Sequence, residues 1–250
     1  MSGEEAALAC RSLTVRYGAL VAVSDLSLTV PAGAVTGLIG PNGAGKTTLL
    51  DALTGFVPAE GEILLRGRPL HREPPHVRAH RGLVRTWQTV ELFGDLTVRE
   101  NLEVAGFRFS ARRVLADLVR PGRRGRAAGP DAALDLLGLG DLADRRPAEL
   151  SYGQRKLVAL ARTLASAPSV LLLDEPAAGL DGEAGRALGE RLRRIAGEGV
   201  AVVLVDHDMA LVLDVCDQVA VLDYGCLIAA GAPDAIRADD RVVAAYLGEP

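Results

Sequence analysis

The chain has 250 residues, which is enough for one large domain or two small ones with a buried core. Its net charge of -4 gives no general basic surface, so nucleic acid is not a favoured partner. Three cysteines without metal-ligand spacing, Cys10, Cys216 and Cys226, are predicted to be reduced thiols. The acidic first residues are not those of a signal peptide, and no apolar run exceeds six residues, so no segment is predicted to span a bilayer.

The first part of the chain predicts a layer of antiparallel strands. Residues 8–30 alternate apolar and polar side chains, and Tyr17-Gly18 divides them into two strands. A turn at Gly33 leads into an apolar strand at 35–39, and residues 62–65 suggest a further strand. We expect this layer to be an addition to a phosphate-binding core, which the next motif indicates.

The residues that follow the strand at 35–39 match the phosphate-binding pattern G-x-x-x-x-G-K-[ST]. They are Gly40, Pro41, Asn42, Gly43, Ala44, Gly45, Lys46, Thr47 and Thr48. A strand, a glycine turn and a helix aim backbone N–H groups at an anion, and glycines let the main chain approach phosphate oxygens. Lys46 is predicted to reach the β- and γ-phosphates, and the Thr47 hydroxyl to hold Mg²⁺. The alternative, a glycine turn that only starts a helix, is disfavoured by the lysine and the threonine.

Residues 71–85 carry three histidines, His71, His76 and His80, which invite a metal-site interpretation. Their spacing does not place three ligands on one helical face, and no carboxylate or cysteine cluster joins them. A solvated loop with a short helix is therefore favoured.

Two polar signals lie where the chain changes from strands to helices. Gln88 ends a strand-like run, and from the residues alone it is only a polar residue at a strand end. Thr97 and Glu100 form a capping box, which predicts that a helix begins near residue 98.

The stretch at 106–130 is rich in arginine and contains one acidic residue, Asp117. Its arginines are Arg108, Arg112, Arg113, Arg120, Arg123, Arg124 and Arg126. Two interpretations stay open: a solvated loop, which the composition favours, and a segment near anionic lipid headgroups or an acidic partner surface.

A capped helix is predicted after residue 150. Ser151 is its N-cap, and Leu157, Leu160, Ala161 and Leu164 recur at helical spacing. A serine and a glycine at a helix N-terminus can form a second anion site. The alternative is a plain capped helix, which these residues alone favour.

Two continuous apolar runs, at 170–173 and 200–205, are typical of strands buried on both faces. The first ends in Asp174-Glu175 and the second in Asp206-His207-Asp208. Adjacent carboxylates at the end of a buried strand are costly unless they meet a cation. Asp174 therefore fits a carboxylate on Mg²⁺, and Glu175 fits a base that polarises an attacking water.

Polar residues suited to binding or catalysis thus follow three apolar strands. In open parallel sheets, ligands bind at the carboxyl ends of the strands. Taken in order, the motifs resemble those of the nucleotide-binding subunit of an ATP-binding cassette (ABC) transporter, over nearly the whole chain. The matching segments are Walker A at 40–48, the Q-loop Gln88, the signature motif at 150–154, Walker B at 170–176, the D-loop at 179–181, the switch His207 and the adenine-stacking Tyr17. Tyr152 departs from the commonest signature, which has glycine there; the helix start survives this change.

The resemblance implies an α/β fold of the P-loop NTPase type, with a RecA-like core around a mainly parallel sheet. It also implies an antiparallel β layer and an inserted helical subdomain. We expect one ABC ATPase domain, with a core at 1–88 and 166–250 and a helical subdomain at 89–165 that contains the basic insert 106–130.

The resemblance also implies roles for single residues. Lys46, Glu175 and His207 would serve catalysis, with Thr47, Asp174 and Gln88 around Mg²⁺. Two subunits close head to tail on two ATP molecules in this family. Each ATP lies between Walker A of one chain and Ser151, Gly153 and Gln154 of the other, with Asp181 at the seam.

A finer resemblance points to the ATPases of branched-chain amino-acid importers. It rests on Arg85-Thr86-Trp87-Gln88, Leu92-Phe93, residues 174–180, the long insert, and the ending at 245–249. It implies as partners a second ATPase subunit (a copy or a paralogue), membrane permease subunits and, indirectly, an external substrate-binding protein. The subunit would lie at the cytoplasmic side of the inner membrane. The alternatives are a lipid or lipopolysaccharide exporter ATPase, a non-transport ABC ATPase, and a regulator that does not hydrolyse ATP, which Glu175 and His207 disfavour.

Overall fold

A computed structural model describes residues 6–70, 72–86, 91–106 and 129–247 of the chain. Several sequence predictions lie outside these residues: those for His71 and Gln88, for the arginines at 107–128, and for the last residues of the 245–249 ending. The chain divides into two compact units, Met1–Gln88 with Ser169–Pro250, and Thr89–Pro168.

Within the described residues, all strands belong to the first unit and form two sheets. In chain order they are β1 (Ala6–Tyr17), β2 (Leu20–Pro31), β3 (Val35–Ile39), β4 (Glu60–Leu65), β5 (Arg68–Pro69), β6 (Leu83–Arg85), β7 (Val170–Asp174), β8 (Ala201–Val205), β9 (Gln218–Asp223) and β10 (Cys226–Gly231). The four-stranded sheet has the order β2-β1-β4-β5 and is antiparallel. The six-stranded sheet has the order β10-β9-β3-β8-β7-β6 and is parallel except for the β9–β10 hairpin. This architecture confirms the predicted fold class.

The helices come in the following order. They are α1 (Lys46–Thr54), α2 (Pro75–His80), α3 (Val98–Gly106), α4 (Pro130–Leu137), α5 (Tyr152–Ala165), α6 (Gly182–Gly197), α7 (Met209–Val215), α8 (Pro233–Arg237) and α9 (Asp240–Leu247). Helices α3, α4 and α5 belong to the second unit, and the others to the first.

The first unit is built around its parallel sheet. Every residue of β3, β7 and β8 is buried, as expected for strands with a layer on each face. One core joins apolar side chains of α1 and the antiparallel sheet to this sheet. On β3, a Cβ at Gly37 would lie 2.6 Å from Cγ1 of Val212, so glycine allows α7 to approach the strand closely.

The second unit confirms the predicted helix starts. The backbone N–H of Thr97 donates to Oε2 of Glu100 at 2.7 Å, and that of Glu100 donates to Oγ1 of Thr97 at 3.2 Å, directly before α3. Helix α4 ends at Gly138, whose φ of 66° only glycine adopts without strain. On α5, Leu157 is only partly buried and Val158 takes the core position instead.

Cys10 and Cys216 are buried free thiols, and Cys226 is an exposed one. Burial raises the pKa of Cys10 to about 11 and that of Cys216 to about 12. Within the described residues, no helix is long and apolar enough to cross a bilayer. The same residues contain no group of three or more His, Cys, Asp or Glu side chains arranged to hold a metal ion.

Candidate active site

The phosphate loop connects β3 to α1 and leaves the start of the helix open. Gly45 is the N-cap of α1, with φ 99° and no side-chain cap, so the first N–H groups of the helix face the loop without a side-chain acceptor. Glycine is required here, because a Cβ at Gly45 would lie 2.5 Å from the Ala22 oxygen. At Gly40 it would lie 2.1 Å from the Leu222 oxygen. The loop therefore offers backbone donors to an anion.

The Lys46 side chain folds over this loop. Its Nζ donates to the backbone oxygens of Gly40 at 2.6 Å and Pro41 at 2.9 Å. Burial lowers the pKa of Lys46 below its usual value, and the carboxylates of Glu175 and Asp174 oppose this shift. The ammonium thus lies near both carboxylates at the end of β7.

The end of β7 carries one buried and one strained residue. Asp174 is buried and accepts a hydrogen bond at 2.7 Å from Nη2 of Arg85. Glu175 has φ 48°, in the left-handed region that a glutamate rarely adopts, and its N–H donates to the Val205 oxygen at 2.8 Å. Such strain persists where the surrounding structure imposes it, and it is common at functional sites.

Strand β8 ends beside β7 with a histidine and two anchoring carboxylates. His207 is largely exposed, and its Nδ1 lies 3.6 Å from Oδ1 of Asp206. Asp206 is buried and accepts N–H bonds from Ala177 at 3.3 Å and Asp208 at 3.1 Å. Asp208 caps α7 by accepting from two backbone N–H groups. Asp206 thus ties the segment that follows Glu175 to the turn that carries His207.

Two other predicted residues have simple local settings. Asp181 is the N-cap of α6 and accepts from the N–H of Ala184 at 2.8 Å. Tyr17 ends β1 with about half of its side chain exposed, as a ring that stacks on a base must be.

The signature residues lie in the second unit. The N–H of Ser151 donates to Oε1 of Gln154 at 2.8 Å, and the N–H of Gln154 donates to Oγ of Ser151 at 3.2 Å. This capping box confirms the predicted start of α5. In this capping box both side chains act only as acceptors, through Oγ of Ser151 and Oε1 of Gln154. The Ser151 hydroxyl hydrogen and the Gln154 side-chain N–H groups therefore stay available to an anion.

Comparison with known proteins assigns the family. A family model described as "ABC transporter" matches residues 23–178, and one described as "Branched-chain amino acid ATP-binding cassette transporter" matches residues 226–250. The chain belongs to the ABC transporter family. As a member it is an ATP-binding and ATP-hydrolysing protein, and membrane permeases are the partners of this ATPase class.

Relatives of this ABC ATPase match it along nearly their whole length. The high-affinity branched-chain amino acid transport ATP-binding protein BraF of Pseudomonas aeruginosa is 41% identical over 95% of this chain and 96% of its own. LivG of Salmonella typhimurium, which carries the same description, is 39% identical over 97% of this chain and 98% of its own. A crystal structure of an ABC transporter cassette in its ADP conformation has a TM-score of 0.82 and 30% identity, covering 98% of this chain and 99% of that one.

The sheet brings most of the predicted residues of this ABC ATPase to one edge. Because β3, β8 and β7 are parallel neighbours, the phosphate loop, His207 and the pair Asp174-Glu175 follow strands that end on the same side. Gln88 lies outside the described residues, and Ser151, Gly153 and Gln154 belong to the other unit. Thr47 and Asp174 supply a hydroxyl and a carboxylate, which are the oxygen ligands that Mg²⁺ prefers.

Three residues at this edge were not predicted as site residues from the sequence. Arg85 and Asp206 hold Asp174 and Ala177, which lie 89 and 29 residues away along the chain. Burial raises the pKa of Tyr246, on α9, and the backbone N–H of Gly40 partly offsets this rise. For Tyr246 a hint existed, since the 245–249 ending resembles the importer ATPases.

Proposed function

We propose that this chain is the ATP-hydrolysing subunit of an importer of branched-chain amino acids. The observation that carries the proposal is the match of residues 226–250 to the branched-chain family model, which adds to full-length similarity to BraF and LivG. The hydrolytic part rests on a glutamate beside a buried aspartate at the edge of the sheet where the phosphate loop begins.

In the proposed mechanism the chain positions ATP before it activates water. The phosphate loop and the first turn of α1 bind the phosphates, and Lys46 neutralises charge on the β- and γ-phosphates. Tyr17 stacks on adenine. Thr47, Asp174 and Gln88 would hold Mg²⁺, which would supply positive charge to the phosphates.

Glu175 and His207 act at the γ-phosphate. Glu175 accepts a proton from the attacking water and orients that water in line with the bond that breaks. His207 is exposed at the end of β8, where its imidazole can donate to a γ-phosphate oxygen. The strained backbone of Glu175 supports this role, because it fixes the direction in which the side chain projects from the end of β7.

A second ATPase subunit completes the site in this proposal. The donors that the Ser151–Gln154 capping box leaves available, with the N–H of Gly153, bind the γ-phosphate of the ATP held by the partner. Asp181 lies at the seam between the subunits. ATP stabilises the closed dimer and hydrolysis releases it, which is a population shift driven by a ligand.

The dimer would work at the cytoplasmic face of the cell membrane, on permease subunits that an external binding protein supplies with substrate. The test is to co-purify the chain with its membrane partners and reconstitute them in liposomes that present the ATPase to added ATP. We expect ATP-dependent transport of leucine, isoleucine and valine, and none with Glu175→Gln. ATP-dependent export of a lipid, or hydrolysis that no branched-chain amino acid stimulates, would contradict the proposal.

A further inference from the structure

Arg85 is a buried cation that joins two elements of the active site. It is the last residue of β6, and its side chain is 6% exposed. Nη2 donates to Oδ2 of Asp174 at 2.7 Å, and Nη1 pairs with Oδ1 of Asp51. The Asp174 side chain is itself 3% exposed. The three side chains therefore form a bridge of charged groups that links α1 to the end of β7.

Both partners of Arg85 belong to elements that present ligands to ATP. Asp51 lies on α1, which begins at Lys46 directly after the phosphate loop, and Asp174 ends β7. A planar guanidinium can hold two carboxylates in fixed directions, whereas a lysine ammonium is a single flexible point of charge. The bridge thus fixes the direction of the Asp174 carboxylate relative to the helix that carries Lys46.

A packing role alone does not account for such a bridge. Removing charges from water is costly, and well-packed apolar residues in place of a buried ion pair are often neutral or stabilising. The rest of β7 follows that rule, because Val170, Leu171, Leu172 and Leu173 are all fully buried and apolar. Carboxylates that bind metal ions are, by contrast, commonly oriented by an outer hydrogen-bond partner.

We propose that Arg85 is a positioning residue for Asp174, which it orients for the binding of Mg²⁺ with ATP. The guanidinium holds Oδ2 and leaves Oδ1 for the metal ion, and the bond to Asp51 keeps this arrangement aligned with the phosphate loop. The inference rests on the metal role of Asp174 in the proposed function. Arg85 acts through Asp174 and does not itself contact the nucleotide.

The test compares Arg85→Met with Arg78→Met in the full chain. Arg78 is also buried beside α1, but its guanidinium donates to the backbone oxygens of Ala52, Leu53 and Glu73. Both substitutions remove a buried arginine that holds α1, so both are expected to lower the thermal midpoint. Only Arg85→Met removes a bond to Asp174.

The decisive readout is the Mg²⁺ requirement for binding a fluorescent ADP analogue, measured without turnover. For Arg85→Met we expect the half-saturating Mg²⁺ concentration to rise about 10- to 100-fold, the range for loss of an outer partner of a metal ligand. Binding of the analogue in EDTA should stay at the parent value. Arg85→Lys keeps the charge but not the planar guanidinium, so its half-saturating Mg²⁺ concentration should lie between those of the parent and Arg85→Met. Arg78→Met should keep the parent Mg²⁺ requirement.

An equal Mg²⁺ requirement in Arg85→Met and Arg78→Met would overturn the proposal. If Arg85→Met does not fold, Asp51→Asn replaces it, and a parent-like requirement in both Asp51→Asn and Arg85→Lys overturns the proposal as well. Asp174→Asn distinguishes a failure of the proposed function from a failure of the role assigned to Arg85. A parent-like Mg²⁺ requirement in Asp174→Asn would refute the metal role of Asp174, and with it the proposed mechanism. A raised requirement there, with none in Arg85→Met, refutes only the role of Arg85.

Discussion

Helices α1 and α5 both begin at a motif that the sequence connects with phosphate, yet their first turns differ. Helix α1 begins after Gly45, which has no side chain to accept its N–H groups. Helix α5 begins after Ser151, which forms a reciprocal capping box with Gln154. The first helix therefore leaves its backbone donors to a ligand, while the second satisfies two of its own.

In the proposed function both motifs serve one ATP, and the difference between their helix starts gives each a separate role. The start of α1, with the positive end of its helix dipole and Lys46 folded over the loop, can bind an anion within a single chain. The start of α5 offers mainly a hydroxyl and an amide, which suit the recognition of a phosphate that another site already holds. In the proposed mechanism α1 supplies the affinity for ATP, and α5 supplies the dimer closure on which turnover depends.

Lys46→Ala is expected to have the largest effect, because it removes the ammonium from the loop that supplies affinity. Charge-assisted hydrogen bonds are each worth about 1.5–3 kcal/mol, so two lost bonds to phosphate weaken ATP binding by about 100-fold or more. A calorimetric titration measures this. Lys156, on α5, is the only other lysine of the chain, and Lys156→Ala is the matched control. Retained tight binding in Lys46→Ala would contradict the role of Lys46 and α1 in ATP binding.

Glu175→Gln is expected to separate binding from hydrolysis at the edge where α1 begins. Loss of a general base costs about 10²–10⁴-fold in turnover, while the neutral amide leaves the phosphate contacts in place. Steady-state ATPase rates and nucleotide titrations measure the two quantities. Glu183→Gln, at an exposed position of the same unit, is the control. Hydrolysis at the parent rate would remove Glu175 from the mechanism.

Local signals predicted both helix starts, and tertiary contacts account for what the sequence could not indicate. The glycine pattern and the Ser151 cap are each contained within a few residues, so a single sequence reveals them. Glu175 carries a positive φ that no residue type at that position signals, since the surrounding fold imposes it. Arg85 stood within a strand-like run next to Gln88, and its partners lie 34 and 89 residues away. Asp174 was predicted to meet a cation, but the arginine that contacts it was missed.

Ser151→Ala tests the proposed role of the start of α5. The variant loses a helix cap, which costs about 1 kcal/mol of stability, and it loses the hydroxyl that is proposed to reach the phosphate of the partner. One charge-assisted hydrogen bond corresponds to a fall in turnover of roughly 10- to 100-fold. ATP binding to the single chain should be unchanged, because α1 supplies it. Weakened binding to the monomer would contradict the division of roles between α1 and α5.

Thr97→Ala should have the smallest effect, and it decides how Ser151→Ala is interpreted. Thr97 and Glu100 form the same kind of capping box at the start of α3, in the same unit as Ser151. The loss of this cap should also cost about 1 kcal/mol of unfolding free energy, measured by urea titration. Turnover should stay at the parent value, because no phosphate contact is assigned to Thr97. A fall in turnover equal to that of Ser151→Ala would mean that the stability of the helical unit, and not the Ser151 hydroxyl, limits hydrolysis. In that case α5 would be a plain capped helix, and the two helix starts would have no shared ligand.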